Sequence, residues 1–240
     1  MSERFFVEPP VVGDRARLSG TEAHHLSHVL RASAGQIVTL FDGSGDEFSA
    51  RVEKISRAAV ELVILERRRV NRESSAGLTL AVALPKGERQ RWLVEKAVEL
   101  GVARLVPLIT MRGVAQPTAS AVERLRRAVI EANKQCGRNR LMEIGEPHDW
   151  NDFAATDAGG VRLIAHPGGI SLREAITPAL EQPHGIVTAI GPEGGFTDEE
   201  VNHGVATGWT LIDLAPRILR VETAAIAISS CIGQLDNAHQ

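Results

Sequence analysis

From residue 78 onward, short apolar runs alternate with stretches of helical periodicity, and this alternation constrains the fold more than any other feature. The run 78–84 is continuously apolar, which is typical of a strand covered on both faces. Four further strands are predicted at 104–109, 162–165, 186–190 and 211–214. Helices are predicted at 88–100, 119–136, 172–180, 198–207 and 223–235. Strands that alternate with helices indicate an α/β domain with a mostly parallel sheet, which we assign to residues 78–240.

Residues 1–70 have a different pattern, typical of a small β domain. Strands are predicted at 36–41, 47–55 and 58–65, with a hairpin turn at 42–46 and one short helix at 21–31. The segment 67–77 is polar and turn-rich, so we place a linker at 71–77. The four arginines of the segment 67–77 suit either RNA contact or a solvated linker, and the sequence does not decide between these two roles.

Composition narrows the class of protein. With 240 residues, 43% of them hydrophobic, the chain can bury one large core or two modest ones. Two cysteines make no disulfide framework, and we find no secretory leader, no run long enough to span a membrane and no zinc-ligand spacing. We therefore expect a soluble, cytoplasmic protein without a metal.

The net charge of −3 disguises an uneven distribution. Residues 85–140 carry +7, whereas residues 141–240 carry −10. A nucleic-acid partner requires a basic face rather than a basic average, and the middle segment can supply one. A solvated helix surface is the alternative explanation of the same charges.

Two motifs follow predicted strands and lead into predicted helices. The glycine loop, residues 190–197, reads IGPEGGFT, and the apolar loop, residues 214–220, reads LAPRILR and continues as VETA. Open α/β sheets bind ligands at the carboxyl ends of their strands, and glycine lets backbone approach a ligand closely. Thr197 and Glu200 have capping-box spacing, so a helix should begin there. Taken singly, the two motifs also suit a tight turn and a buried loop before a core helix.

Together, the two motifs resemble the S-adenosylmethionine site of the SPOUT methyltransferases. The closer resemblance is to the bacterial family that methylates N3 of a uridine in 16S ribosomal RNA of the small subunit. Other matching segments lie at 4–7, 25–31, 86–89, 95–102 and 135–140. The resemblance extends from about residue 4 to about residue 235.

This resemblance implies a fold and an assembly. The C-terminal domain would be a SPOUT domain with a deep trefoil knot, in which residues 214–235 thread through a loop. The N-terminal domain would be a PUA-like β-barrel associated with RNA binding. The protein would be a homodimer formed through the knot helices, with small residues at Ala224, Ala225, Ala227 and Ser229.

The resemblance also implies the cofactor, S-adenosyl-L-methionine, and the residues around it. Those at the ends of the predicted strands 162–165 and 186–190 are His166, Ile190, Gly191, Glu193, Gly194 and Gly195. Those of the second motif are Leu214, Pro216, Ile218, Leu219, Thr223 and Ala224.

Methylation of a uracil N3 requires alignment of the nitrogen with the methyl group and loss of the N3 proton. Arg220 is the candidate for stabilising negative charge on the flanking carbonyl oxygens, because a guanidinium keeps its charge and offers several donors. Glu222 is the candidate base, with Glu193 as the other nearby carboxylate. Each of the three also suits a structural role within its loop.

Positive residues inside the matching segments are the candidates for RNA binding: Arg4, Arg31, Lys86, Arg89, Arg112, Arg138 and Arg140. Contacts of this kind make binding salt-dependent. The chain departs from the family pattern at Lys134, where an acidic residue is usual, and at Ala215, where glycine is common. Two rival functions remain: a SPOUT enzyme of other specificity, such as ribose 2′-O or guanine N1 methylation, and a non-catalytic RNA-binding assembly factor.

Overall fold

A computed structural model describes residues 4–75, 77–115, 117–156, 159–180 and 185–238. Ala76, one residue of the predicted linker, lies outside these ranges. The chain divides into two compact units. The N-terminal unit comprises Met1–Glu73 and Ile130–Leu141, and the C-terminal unit comprises Ser74–Val129 and Met142–Gln240. No helix within the described ranges is long and apolar enough to cross a membrane.

The N-terminal unit is built on a five-stranded sheet of order β1-β3-β4-β5-β2. Its strands are β1 (Arg4–Phe6), β2 (Arg15–Ser19), β3 (Ile37–Phe41), β4 (Asp46–Ile55) and β5 (Ala59–Arg69). The β1–β3 pair is parallel and the other pairs are antiparallel. Apolar side chains that alternate along the strands form the core, among them Phe5, Leu18, Leu40, Phe48 and Leu62.

Three of these strands confirm the predicted positions, and the hairpin at 42–46 joins β3 to β4 as expected. Strand β5 is longer than predicted. Arg67, Arg68 and Arg69 belong to it rather than to the linker segment, because they continue the pairing with β4. Strands β1 and β2 escaped prediction, since three and five residues give too little alternation.

The predicted helix at 21–31 is a short α-helix that continues as a π-helix. Helix α1 spans Gly20–His24, and the π-helix spans His25–Val29. The Ser27 hydroxyl donates to the Ala23 carbonyl at 2.6 Å, a local bond that competes with the α-helical pattern. The segment ends before Arg31, whose φ of 52° is left-handed.

The C-terminal unit is an α/β fold, as predicted, and every strand pair in the described sheet is parallel. The order is β12-β10-β11-β6-β7-β8, with β9 beside β7. The strands are β6 (Thr79–Val82), β7 (Arg104–Ile109), β8 (Glu143–Ile144), β9 (His148–Asp149), β10 (Val161–Ser171), β11 (Ile186–Ile190) and β12 (Thr210–Asp213). The trefoil knot expected for 214–235 stays a prediction, since strand order alone does not establish threading.

The described ranges contain six further helices: α2 (Arg89–Glu99), α3 (Ala119–Cys136), α4 (Trp150–Ala155), α5 (Leu172–Leu180), α6 (Asp198–Ala206) and α7 (Val221–Ala238). Five confirm predicted helices within a few residues. Helix α4 was missed because it has only six residues. It carries Trp150, which is buried against Phe196 and Trp209 in the core of the C-terminal unit.

Candidate functional site

The carboxyl ends of β6, β7, β11 and β12 meet at one edge of the sheet, because all their pairings are parallel. The glycine loop follows β11, and the apolar loop follows β12. The Ala83 amide donates to the Ile190 carbonyl at 2.9 Å, which extends the pairing of β6 with β11 up to the glycine loop. Both motifs therefore lie at the edge where such sheets bind ligands.

The glycine loop turns tightly and ends in a helix cap. The Gly195 amide donates to the Pro192 carbonyl at 2.8 Å, and Gly195 adopts a φ of +69°, which favours glycine. A Cβ on Gly191 would lie 3.0 Å from the Phe196 ring, so that position has little room for a side chain. The predicted capping box of Thr197 and Glu200 is confirmed and begins α6.

Glu200 has a second role that capping-box spacing did not indicate. Its Oε1 accepts a hydrogen bond from the Met111 amide at 2.9 Å, while Oε2 accepts one from the Thr197 amide at 2.7 Å. Next to Met111, the Arg112 guanidinium donates to the Gly194 carbonyl at 2.9 Å. The loop after β7 is therefore fastened to the glycine loop, and Arg112 contacts that loop while remaining exposed.

The sequence predicted that His166 follows the end of a strand at 162–165. In the structure, His166 lies within an irregular part of the longer strand β10. The register against β12 shifts between Ala165 and Ile170. The His166 Nδ1 atom is 2.8 Å from the Pro167 carbonyl. Asp213, which the sequence did not single out, accepts from the amides of Gly168 at 3.1 Å and Ala215 at 3.2 Å. This carboxylate ties the bulge to the start of the apolar loop.

The apolar loop presents exposed apolar atoms. Ile218 is 92% exposed, Pro216 is also exposed, and Leu214 and Leu219 are half-buried. Arg220 is exposed, and within the described part of the chain it forms no ion pair. Such a surface can cover one face of a flat ring and still offer a guanidinium to a second molecule.

Glu222, in the first turn of α7, is a buried carboxylate with one oxygen unpaired. Only 6% of the residue is exposed. Its Oε1 lies 3.6 Å from Arg89 Nη1, and no hydrogen bond reaches Oε2 within the described residues. Arg89 also donates to Glu193 at 2.8 Å. Arg89, predicted for RNA binding, thus bridges the two predicted site carboxylates, Glu193 and Glu222, each more than 100 residues from Arg89 in the sequence.

The helix that follows packs inside the protomer. Ala224, Ala225 and Ser229 are buried, because α7 packs against α2 and α5. Thr223 is exposed, and Ala227 is half-buried. The small residues that suggested contact between knot helices are therefore mostly covered within one chain.

The remaining RNA candidates fall into two groups. Arg31, Lys86 and Arg140 are exposed. Arg4 and Arg138 are committed to the N-terminal unit: the Arg4 side chain is 9% exposed against Glu47, and that of Arg138 is 4% exposed against Glu73. A phosphate contact by Arg4 or Arg138 would require breaking a buried ion pair.

The N-terminal unit also supplies partners for Lys134, the residue at which the sequence predicted a departure from the family pattern. Its ammonium pairs with Glu22 at 2.8 Å and with Glu131 at 3.3 Å. A cation at this position is therefore matched by two carboxylates of the same unit. Within the ranges that the structure describes, no three His, Cys, Asp or Glu side chains group as a metal site.

The model of the family described as "RNA methyltransferase domain" matches residues 72–233, more than half of the chain. The chain belongs to this family. A second model, described as "RNA methyltransferase PUA domain", matches residues 18–65. The predicted membership and the predicted α/β fold with an N-terminal PUA domain are confirmed.

Relatives across bacteria carry one name. Ribosomal RNA small subunit methyltransferase E of Synechocystis sp. is 32% identical over 233 residues, which are 93% of this chain and 75% of that protein. The Bacillus subtilis protein of the same name is 27% identical over 225 residues, 90% of this chain and 88% of its own length.

Solved structures similar to this chain are also methyltransferases. A methyltransferase from Legionella pneumophila, in complex with the bound cofactor SAM, is 34% identical with a TM-score of 0.90, and 98% of each chain is covered. Ribosomal RNA small subunit methyltransferase E from Neisseria gonorrhoeae, bound to S-adenosyl methionine, is 28% identical with a TM-score of 0.87 and the same coverage. Both loops of the candidate site lie within residues 72–233, which the methyltransferase family model matches.

Proposed function

We propose that this protein transfers a methyl group from S-adenosyl-L-methionine to N3 of one uridine in 16S ribosomal RNA. The observation that carries the proposal is the near-complete match, at 28–34% identity, to two methyltransferase structures that hold this cofactor. The name of the Synechocystis and Bacillus subtilis relatives supports ribosomal RNA of the small subunit as the substrate. The choice of uridine N3 rests on the family resemblance of the sequence.

The glycine loop and the apolar loop would hold the cofactor. Leu214, Ile218 and Leu219, whose apolar atoms are partly or largely exposed, would hold the adenine. The glycine loop, where amides and small side chains permit close approach, would hold the ribose and methionine parts. The full set is His166, Ile190, Gly191, Glu193, Gly194, Gly195, Leu214, Pro216, Ile218, Leu219, Thr223 and Ala224.

Bound S-adenosyl-L-methionine supplies an electrophilic methyl group, and the protein residues orient the uracil and manage charge. Arg220 donates to a uracil carbonyl oxygen and stabilises the negative charge that develops when N3 loses its proton. Glu222 accepts that proton through its unpaired Oε2. Arg89 holds Glu222 in position and connects it to Glu193.

The remaining parts of the proposal concern partners and assembly. RNA contacts come from exposed Arg31, Lys86, Arg112 and Arg140, whereas Arg4 and Arg138 act by holding the N-terminal unit together. The protein works in the cytoplasm as a homodimer of knotted SPOUT domains, with residues 1–70 as the RNA-binding domain and 71–77 as the linker. Because Ala224, Ala225 and Ser229 are buried within the chain, the dimer contact uses other residues of the knot domain.

The test combines binding and product analysis. Purified protein is given the labelled cofactor and 16S RNA or small subunits from cells that lack it, and the nucleosides are analysed by mass spectrometry for N3-methyluridine. Arg220→Ala should keep cofactor affinity in calorimetry and lose at least about 100-fold in methylation rate. Arg217→Ala, an exposed arginine of the same loop, is the matched control and should retain activity.

Each rival gives a different result. A non-catalytic binder with a closed pocket would give no heat with S-adenosyl-L-methionine. Another modified nucleoside would reassign the specificity. Equal activity of Arg220→Ala and the parent would remove the proposed role of Arg220.

A further inference from the structure

The end of the β4–β5 hairpin carries more arginine than its carboxylate can neutralise. Asp46 accepts from Arg67 Nε at 2.6 Å and from Arg69 Nη1 at 3.3 Å. The side chains of Arg67 and Arg69 nevertheless remain 59% and 63% exposed. They alternate along β5 and so face the same side of the sheet, whereas Arg68 between them pairs with Glu66. Two cations share one carboxylate, which leaves positive charge at the surface.

Arg140 brings a third guanidinium to the same place. Its backbone forms β-bridges with Gly43 and Ser44, which fix it beside the β3–β4 loop. A Cβ on Gly45 would lie 3.1 Å from Arg140 Nε and 3.6 Å from Arg69 Cζ, so the two guanidinium groups converge over a residue that has no side chain. Arg140 is exposed and has no ion-pair partner within the described ranges.

The neighbouring carboxylate does not offset this charge. Glu47, the next residue of β4, pairs with Arg4 and Arg72. Arg72 also donates to the Gly137 carbonyl at 2.8 Å. Each of the two acidic residues that begin β4 is thus shared by two arginines. Like charges held this close repel each other, and an anion placed between them removes the repulsion.

We propose that Arg69 and Arg140, supported by Arg67, form a binding site for a backbone phosphate of RNA. Guanidinium groups match the geometry of phosphate oxygens and stay charged at all relevant pH values. The inference rests on the proposed function for the nature of the anion, since that function makes RNA the substrate. The site adds Arg67 and Arg69 to the RNA-binding residues. The sequence alone did not decide whether these two arginines contact RNA or belong to a solvated linker.

The experiment measures binding of the full-length protein to unmodified 16S RNA over a range of salt concentrations. Each phosphate contact contributes about 0.7–0.9 to the slope of log Kobs against log salt. The double variant Arg69→Ala/Arg140→Ala should lose roughly that amount, together with about 10-fold in affinity at low salt. The variant Arg69→Lys/Arg140→Lys retains both charges and should restore the slope but not all of the affinity.

Arg57→Ala is the matched control. Arg57 is an exposed arginine at the turn between β4 and β5. Asp46 pairs with Arg69 at the opposite end of this hairpin, roughly 30 Å away for ten residues of strand. The affinity of Arg57→Ala for RNA and the slope of its salt dependence should equal those of the parent. Calorimetry with S-adenosyl-L-methionine and the melting temperature should be unchanged in all three variants.

The outcomes separate this inference from the function it rests on. A double variant with the parental slope overturns the phosphate site, even if the parent methylates RNA normally. Loss of binding to assembled subunits but not to free RNA would assign the arginines to a protein contact and also overturn it. A parent that binds RNA with the expected slope difference but makes no methylated product would refute the proposed function alone.

Discussion

Glu200→Gln is the substitution that most directly tests how the candidate site is held together. The Glu200 carboxylate is 3% exposed and accepts two backbone amides, those of Met111 and Thr197, at 2.9 and 2.7 Å. A glutamine can satisfy only one of them, and its amide nitrogen then faces the other donor. A lost hydrogen bond to a charged group and an unsatisfied buried amide cost about 2–3 kcal/mol together.

Glu199→Gln is the matched control, because the same charge is removed from the adjacent, exposed position of the same helix turn. That control weakens the interaction with the helix dipole, about 0.3–1 kcal/mol. The hydrogen bonds that Glu199 accepts from its own amide and from the Thr197 hydroxyl can still be accepted by a glutamine oxygen. For a chain of this length, the Glu200 variant should melt roughly 5–10 °C lower than the parent. Differential scanning calorimetry measures this, and titration with S-adenosyl-L-methionine should show weaker binding as the glycine loop loosens. Equal melting temperatures for the two variants would refute the reasoning.

Two further predictions concern stability. The pKa of the Asp46 carboxyl is lowered from its ordinary value of 3.8, chiefly by the hydrogen bond from Arg67. The stabilisation that the ionised Asp46 contributes is therefore complete above the ordinary pKa, and it is lost as the pH falls through the lower pKa of the folded state. The difference in unfolding free energy between the parent and Asp46→Asn, measured with urea, should therefore shrink below about pH 4, and a constant difference would contradict this. Gly169→Ala should destabilise by about 2–3 kcal/mol, since its Cβ would lie 2.4 Å from the Leu211 backbone. Gly233→Ala in α7, where nothing lies within 4 Å, should leave the melting temperature unchanged or raise it, and an equal effect of both alanines would argue against steric conflict.

Features set by local chemistry were the predictable part of the fold. The apolar runs at β6 and β11 gave buried parallel strands, and Thr197 with Glu200 gave the start of α6, because periodicity and capping act within a few residues. Helix α4 and the two-residue strands β8 and β9 are too short to produce a periodic signal.

Contacts between distant segments were beyond the sequence. Arg89, Glu193 and Glu222 read as separate motifs, and only the folded chain joins them. In the same way, Arg138 and Arg140 look alike in one motif, yet one is a buried ion-pair partner and the other is an exposed cation. Composition cannot distinguish them, since the difference lies in whether a carboxylate from another segment reaches the guanidinium.

The assignment of residues 130–141 to the N-terminal unit bears on how the gene can be dissected. A recombinant fragment that stops after Glu73 would leave Glu22 without Lys134 and Glu73 without Arg138. Such a fragment should express poorly, and a chimera that replaces only the first 73 residues would separate Lys134 and Arg138 from the carboxylates that they pair with in this chain. Transplanting the unit intact requires two separate stretches of coding sequence.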